Sequence, residues 1–155
     1  MKALPMTAPD QVFADLHAAC GGRLFTVTVQ DNAARLVRRA YTSHPADYPV
    51  SGTKPLQQDR WSRQVLGEGR IFVANTTAEF ADVFFDHAQI NALGCQAAVN
   101  LPVSEAGEVL GTINILDVEG YFTQARVQAI QAAVGARHDA IAAAMRAVPM
   151  GRVLP

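Results

Sequence analysis

With 155 residues, half of them hydrophobic and only 17% charged, the chain is long enough for one domain with its own core and too apolar for intrinsic disorder. A net charge of −1 and a pI near 6.4 leave no basic surplus, which argues against binding a nucleic-acid backbone. No apolar run reaches the roughly 18 residues of a membrane span and the N-terminus lacks a signal-peptide core, so a cytoplasmic protein with two reduced thiols, Cys20 and Cys95, is expected.

Residues 1–9, with Pro5 and Pro9, read as a loose arm before a single domain over 10–148 and a frayed tail over 149–155. From Asp10 the pattern is helical, with Val12, Phe13, Leu16 and Ala19 on one face and Gly21-Gly22 as the stop. Residues 24–29 are β-branched and aromatic, and residues 35–42 form the returning strand. In that strand Arg35 and Arg39 share a face and Arg38 points the other way, as on a solvated strand edge. Pro45, Pro49, Gly52 and Pro55 make 43–55 a long loop. Asp59 caps a short helix carrying Trp61 and Val65, stopped by Gly67 and Gly69. Residues 71–73 are a brief strand, and Thr76 with Glu79 matches a capping box. A further helix is expected over 82–93, carrying Val83, Phe84, Phe85, Ile90 and Leu93.

Residues 95–103 and 108–118 form the clearest hairpin, joined by Ser104-Glu105-Ala106-Gly107. Apolar residues on both faces of its strands predict a sheet covered on both sides. Thr123 caps a long helix over 123–147 that closes at Pro149. The order of elements is α+β with an antiparallel sheet, and no glycine-rich phosphate loop follows a strand.

Three stretches resemble the GAF domain family, a small-molecule sensing module related to PAS. They are residues 90–103, where a helix end and Gly94 lead into Leu101-Pro102-Val103; Gly107-Glu108-Val109-Leu110-Gly111-Thr112-Ile113-Asn114-Ile115-Leu116; and Phe122-Thr123 before the last helix. The resemblance implies a twisted antiparallel sheet of five to six strands. The first and last helices would pack on one face, and short lid helices and the proline loop would cover a ligand cavity on the other. It covers roughly 8–148 and leaves no room for an output module, so a stand-alone domain working through a signalling partner is expected.

An irregular cover is also where physical reasoning places a cavity. Its candidate ligand contacts are Tyr41, Trp61, Phe85, His87, Cys95 and Asn114. Asn114 stands out because an amide between Ile113 and Ile115 needs a partner once buried. The family's cyclic-nucleotide residues and its cysteine-linked bilin site find no counterpart here. Its free methionine-(R)-sulfoxide reductases need a reactive cysteine with a resolving partner, and Cys20 is expected on the far side of the sheet from Cys95. Cys95 reads first as a small buried apolar residue. His44 and His87 lack ligand spacing, so no metal and no resident cofactor are expected beyond an unidentified small organic ligand. The competing expectation is a ligandless interaction module whose cover is packed solid.

On the last helix Val127, Ile130, Val134, Ile141 and Met145 form one stripe. Ala129, Ala133, Ala136, Ala140, Ala143 and Ala147 form a second, able to admit another helix closely. That helix is either the first helix of the same chain or the last helix of a second copy in a homodimer.

Overall fold

The computed structural model describes residues 8–150. Helix α1 (Ala8–Cys20) leads into strands β1 (Leu24–Asp31) and β2 (Leu36–Thr42) and a two-residue edge strand, β3 (Lys54–Pro55). A helical turn, α2 (Arg60–Ser62), continues as a π-type turn over Arg63–Gly67. Strand β4 (Phe72–Ala74), helix α3 (His87–Ala92), the long strands β5 (Ala97–Glu105) and β6 (Glu108–Asp117), and helices α4 (Gln124–Ala136) and α5 (His138–Ala147) follow. The sheet runs β3-β2-β1-β6-β5-β4, and every neighbouring pair is antiparallel. This is the expected α+β layout.

Strand alternation divides the core in two. Phe25, Val27 and Val29 of β1, Val99, Leu101 and Val103 of β5, and Ile113 and Ile115 of β6 face α1, α4 and α5. They meet Phe13 and Leu16, Ile130 and Val134, and Ile141 and Met145. A smaller cluster beneath the short helices holds Leu24, Tyr48, Val65, Phe72, Phe80, Val83, Ile90, Cys95 and Leu116. The β5–β6 turn puts Ala106 and Gly107 both at positive φ, 53° and 81°, as a tight two-residue hairpin requires.

Several local expectations hold and several change. Asp59 and Ser62 form a complete capping box, with both reciprocal bonds at 2.8 Å. Thr123 caps α4 by accepting from the Arg126 N–H at 3.2 Å. At Thr76 neither half of the box forms: Glu79 Oε1 accepts from the Asn75 N–H and the Thr76 hydroxyl instead, and just one 3₁₀ turn follows. The helix expected over 82–93 shrinks to α3. The His87 ring donates Nδ1–H to the Phe84 carbonyl at 2.9 Å, taking the acceptor that a continuous helix would offer to residue 88.

The long last helix breaks at Arg137, whose φ of −113° and ψ of 13° leave the helical region. Its guanidinium donates to the Ala133 carbonyl at 3.0 Å, and His138 Nε2 donates to the Ser104 carbonyl at 2.7 Å. These bonds turn α5 onto the end of β5. The alanine stripe then faces outward: Ala129, Ala136, Ala140 and Ala143 are exposed and Ala133 is half-buried, so the chain's own first helix does not cover it. At the ends, α1 already includes Ala8 and Pro9, which the arm was expected to hold, and proline suits a first helical turn. Pro149 and Met150 are not frayed, because their carbonyls accept from Arg38 Nη1 and the Thr53 hydroxyl. The rest of the expected arm and tail lies outside the described residues. No helix among the described residues is long and apolar enough to cross a membrane.

Candidate functional site

The sheet face beneath the short helices is not the mirror of its apolar opposite. Thr26 and Thr28 alternate with Val27 and Val29 on β1, and Thr112 and Asn114 alternate with Ile113 and Ile115 on β6. Direct pairing puts Asn114 opposite both Asn100 and Thr26, and Thr112 opposite Thr28. A polar patch therefore crosses the three central strands.

These side chains form one directional chain of hydrogen bonds. The Trp61 indole N–H donates to Asn100 Oδ1 at 2.9 Å, Asn100 Nδ2 donates to Asn114 Oδ1 at 2.7 Å, and Asn114 Nδ2 donates to Thr26 Oγ1 at 3.2 Å. An indole can only donate, so it fixes both amide orientations in turn. Each amide keeps a second N–H, and Thr26 keeps its hydroxyl proton. Thr28 and Thr112 hydrogen-bond to each other beside this chain.

The patch floors a cavity of about 240 Å³. Leu24 and Leu116 line it from the sheet; Trp61, Leu66, Phe84 and Ile90 line it from the cover. The Trp61 and Phe84 rings meet edge to face, with centroids 6.2 Å apart. At the rim, Arg39 lies over the Tyr48 ring, 5.0 Å from its centroid, and donates to the Pro49 carbonyl at 3.0 Å. The Tyr48 hydroxyl donates to Asp86 Oδ2 at 2.6 Å. Burial lowers the Arg39 pKa against the opposing pull of Asp86, while burial and the bond to Asp86 raise that of Tyr48. No ion pair to Arg39 forms among the described residues. At the other end Gln30 lines the wall, and its buried Oε1 has no hydrogen-bond partner.

Of the six residues expected at the ligand, the cavity gathers Trp61 and Asn114. Tyr41 lies on the other face, packed against Phe13 and Phe25 at centroid distances of 6.0 and 6.1 Å. The reason is a β-bulge: Thr28 pairs with Arg39 while its neighbour Val27 pairs with Tyr41, so Ala40 is the extra residue. Strict alternation would put Arg39 and Tyr41 on one face; the bulge sends Arg39 to the cavity and Tyr41 to the helices. Phe85 is 85% exposed, flanking a shallow outer groove. His87 is engaged with the Phe84 carbonyl and does not line the cavity. Cys95 is fully buried in the cover's core, beside the cavity and not in its wall.

Asn100, Thr26, Thr28, Thr112 and Gln30 were not singled out from the sequence, and Arg39, expected on a solvated strand edge, is half-buried at the cavity. The polar members of β1, regularly interleaved with Val27 and Val29, carried the signal. Asn75 serves the backbone: it donates to the Phe122 carbonyl at 3.0 Å and accepts from the Phe122 N–H at 2.9 Å, tying the end of β4 to the start of α4.

The two thiols lie apart. Cys20 packs with the helix-side core and Cys95 with the cover's core, on opposite faces of the sheet. Burial pushes both pKa values up, that of Cys95 to about 11 with help from Asp117, which leaves little thiolate. Among the described residues no three His, Cys, Asp or Glu side chains gather where they could hold a metal ion.

No family model matches the sequence, and comparison with curated proteins finds no relative. Solved structures do match in shape. The GAF domain/HD domain protein from Geobacter sulfurreducens superposes with a TM-score of 0.69 at 13% identity, over 89% of this chain and 94% of that one. The GAF domain of a two-component sensor histidine kinase from Bacillus halodurans gives 0.65 at 11%, over 84% and 88%. The second GAF domain of DevS from Mycobacterium smegmatis gives 0.60 at 18%, over 90% and 92%. The topology, the two-sided core and these superpositions agree: the chain has the fold of a GAF domain.

Proposed function

We propose that this domain is a sensory or regulatory module that binds a small organic ligand under its short-helix cover and acts through a signalling partner. The observation that carries the reading is the polar ladder Trp61–Asn100–Asn114–Thr26 on the floor of a cavity. A sheet face that served packing alone would be as apolar as the opposite one, since each buried amide must find partners. Ligand-binding pockets have the other character: apolar walls with a few placed polar groups. The similar folds that belong to a sensor histidine kinase and a methyl-accepting chemotaxis protein support a role in signalling.

The ligandless interaction module needs a solid cover. Phe85 points outward, and Trp61 and Phe84 border open volume. The sulfoxide-reductase reading gains no support from two thiols on opposite faces of the sheet. Association with a second copy fits the outward alanines of α4 and α5, which bring little side-chain bulk or entropy cost to a helix contact. Native mass spectrometry of the protein from cells tests ligand and assembly together. A retained small mass and a dimer are expected; no retained mass, together with no thermal shift across a metabolite panel, overturns the sensor reading.

A further inference from the structure

We propose that the cavity takes a small organic carboxylate bearing a hydroxyl or amine on its apolar body, with the carboxylate at Arg39 and the hydroxyl or amine at Gln30. This inference rests on the ligand-binding reading above and specifies its chemistry.

Among the described residues Arg39 is the only cationic side chain in the cavity lining. Desolvation already works against its charge; its direct contacts are the Pro49 carbonyl and the face of Tyr48, and Asp86 attracts it from beyond ion-pair distance. Asp86, the one carboxylate in the lining among the described residues, is exposed and takes the Tyr48 hydroxyl instead of forming an ion pair with Arg39. A half-buried guanidinium without a carboxylate is under-satisfied, and a ligand carboxylate supplies the matching planar acceptor.

Gln30 presents the opposite need. Asn32 donates its amide to the Val109 carbonyl at 2.9 Å, which turns its oxygen toward Gln30 and draws the Gln30 NH₂ to it at 2.6 Å. The orientation leaves Gln30 Oε1 buried and unpartnered; closed off from the cavity in this state, it becomes an acceptor for a ligand N–H or O–H when the side chain turns into the cavity it lines. The two needs are spaced along the floor. Arg39 pairs with Thr28, and Gln30 is two residues further along the same face of β1, about 7 Å away at the backbone. Val37, which pairs with Gln30, and Leu56 and Leu66 give that end of the cavity an apolar lining for the ligand's body, and the spare N–H groups of Asn100 and Asn114 add donors on the carboxylate's side.

Trp61 is the only tryptophan and borders the cavity, so its fluorescence reports occupancy directly. The probes are 4-hydroxybenzoate, benzoate and 4-hydroxybenzamide, titrated to millimolar concentration. 4-Hydroxybenzoate should bind about tenfold tighter than the neutral amide, the scale of one charge-assisted hydrogen bond, and tighter than benzoate. Arg39→Gln should erase the preference for the acid, Arg39→Lys should keep part of it, and Gln30→Leu should erase the advantage of the hydroxyl. Circular dichroism confirms that each variant is folded, and the Asn100 and Asn114 side-chain amide resonances give a second readout in the unmodified protein. Equal affinity for acid and amide overturns the carboxylate assignment and leaves the cavity reading standing. Benzoate binding as well as 4-hydroxybenzoate removes the role given to Gln30. No response to any probe, in fluorescence or in the amide resonances, counts against the assignment, whereas the cavity reading is decided by the retained mass and the metabolite panel.

Discussion

Asn100 Nδ2 donates to Asn114 Oδ1 at 2.7 Å, between residues that sit directly opposite each other on β5 and β6. Both are buried, and the bond is the middle link between the Trp61 indole and the Thr26 hydroxyl. Asn114→Ala removes both neighbours' partner at once. It should lower stability by about 1–3 kcal/mol, the cost of leaving buried polar groups unpaired. Urea unfolding measures this, and an unchanged midpoint would show that the ladder contributes nothing to the fold.

Gly111 is required by close backbone approach. A Cβ built there would stand 2.0 Å from the Thr28 carbonyl oxygen and 3.1 Å from the Val29 Cα. Backbone atoms of a paired central strand cannot yield as a side-chain tip can. Gly111→Ala should therefore cost at least the roughly 1–3 kcal/mol of an overpacked core and disturb the Thr28–Thr112 contact in the cavity wall. Thermal unfolding and the amide spectrum of β1 and β6 check it; a variant as stable as the parent contradicts the predicted clash.

Alkaline pH should weaken the fold through Cys95. Its thiol is raised from the ordinary 9.0 to about 11, by burial first and by Asp117 second. The folded state holds the proton that the unfolded chain releases near pH 9. The thiol's contribution is thus complete below about pH 9 and lost as pH climbs through about 11. Cys20 and Tyr48 are shifted in the same direction and add to the slope. Chemical denaturation at a series of pH values from neutral upward should show the loss, and Cys95→Ala should flatten it even though its starting stability is lower. An equal slope in both proteins would remove Cys95 from the account. At neutral pH, iodoacetamide should label Cys95 only after unfolding.

Ala140 sits on the outer face of α5 and is exposed. Ala140→Glu should leave the stability of a single copy within about 0.5 kcal/mol, as surface changes generally do. In the paired helices proposed here it would set carboxylates against each other across a tight seam. Light scattering should show the parent as a dimer and the variant as a monomer; the same mass for both rejects α5 as the contact.

The sequence by itself determined what depends on neighbours along the chain. The β5–β6 hairpin, the caps at Asp59 and Thr123, the antiparallel α+β plan and the contrast of Asn114 with its isoleucine flanks all follow from periodicity and local hydrogen bonding. Trp61 and Asn114 were legible for that reason. Tyr41 was not placed by alternation, because alternation assumes an unbroken register and Ala40 interrupts it. The break at Arg137 likewise depends on His138 reaching Ser104, a partner 34 residues away. Asn100 gains its role only when Trp61, 39 residues earlier, and Asn114, 14 residues later, arrive beside it. The tertiary structure decided these features because register, bulges and buried hydrogen bonds are set by strands that meet across space, and a one-residue change in pairing reverses which side chains face a cavity.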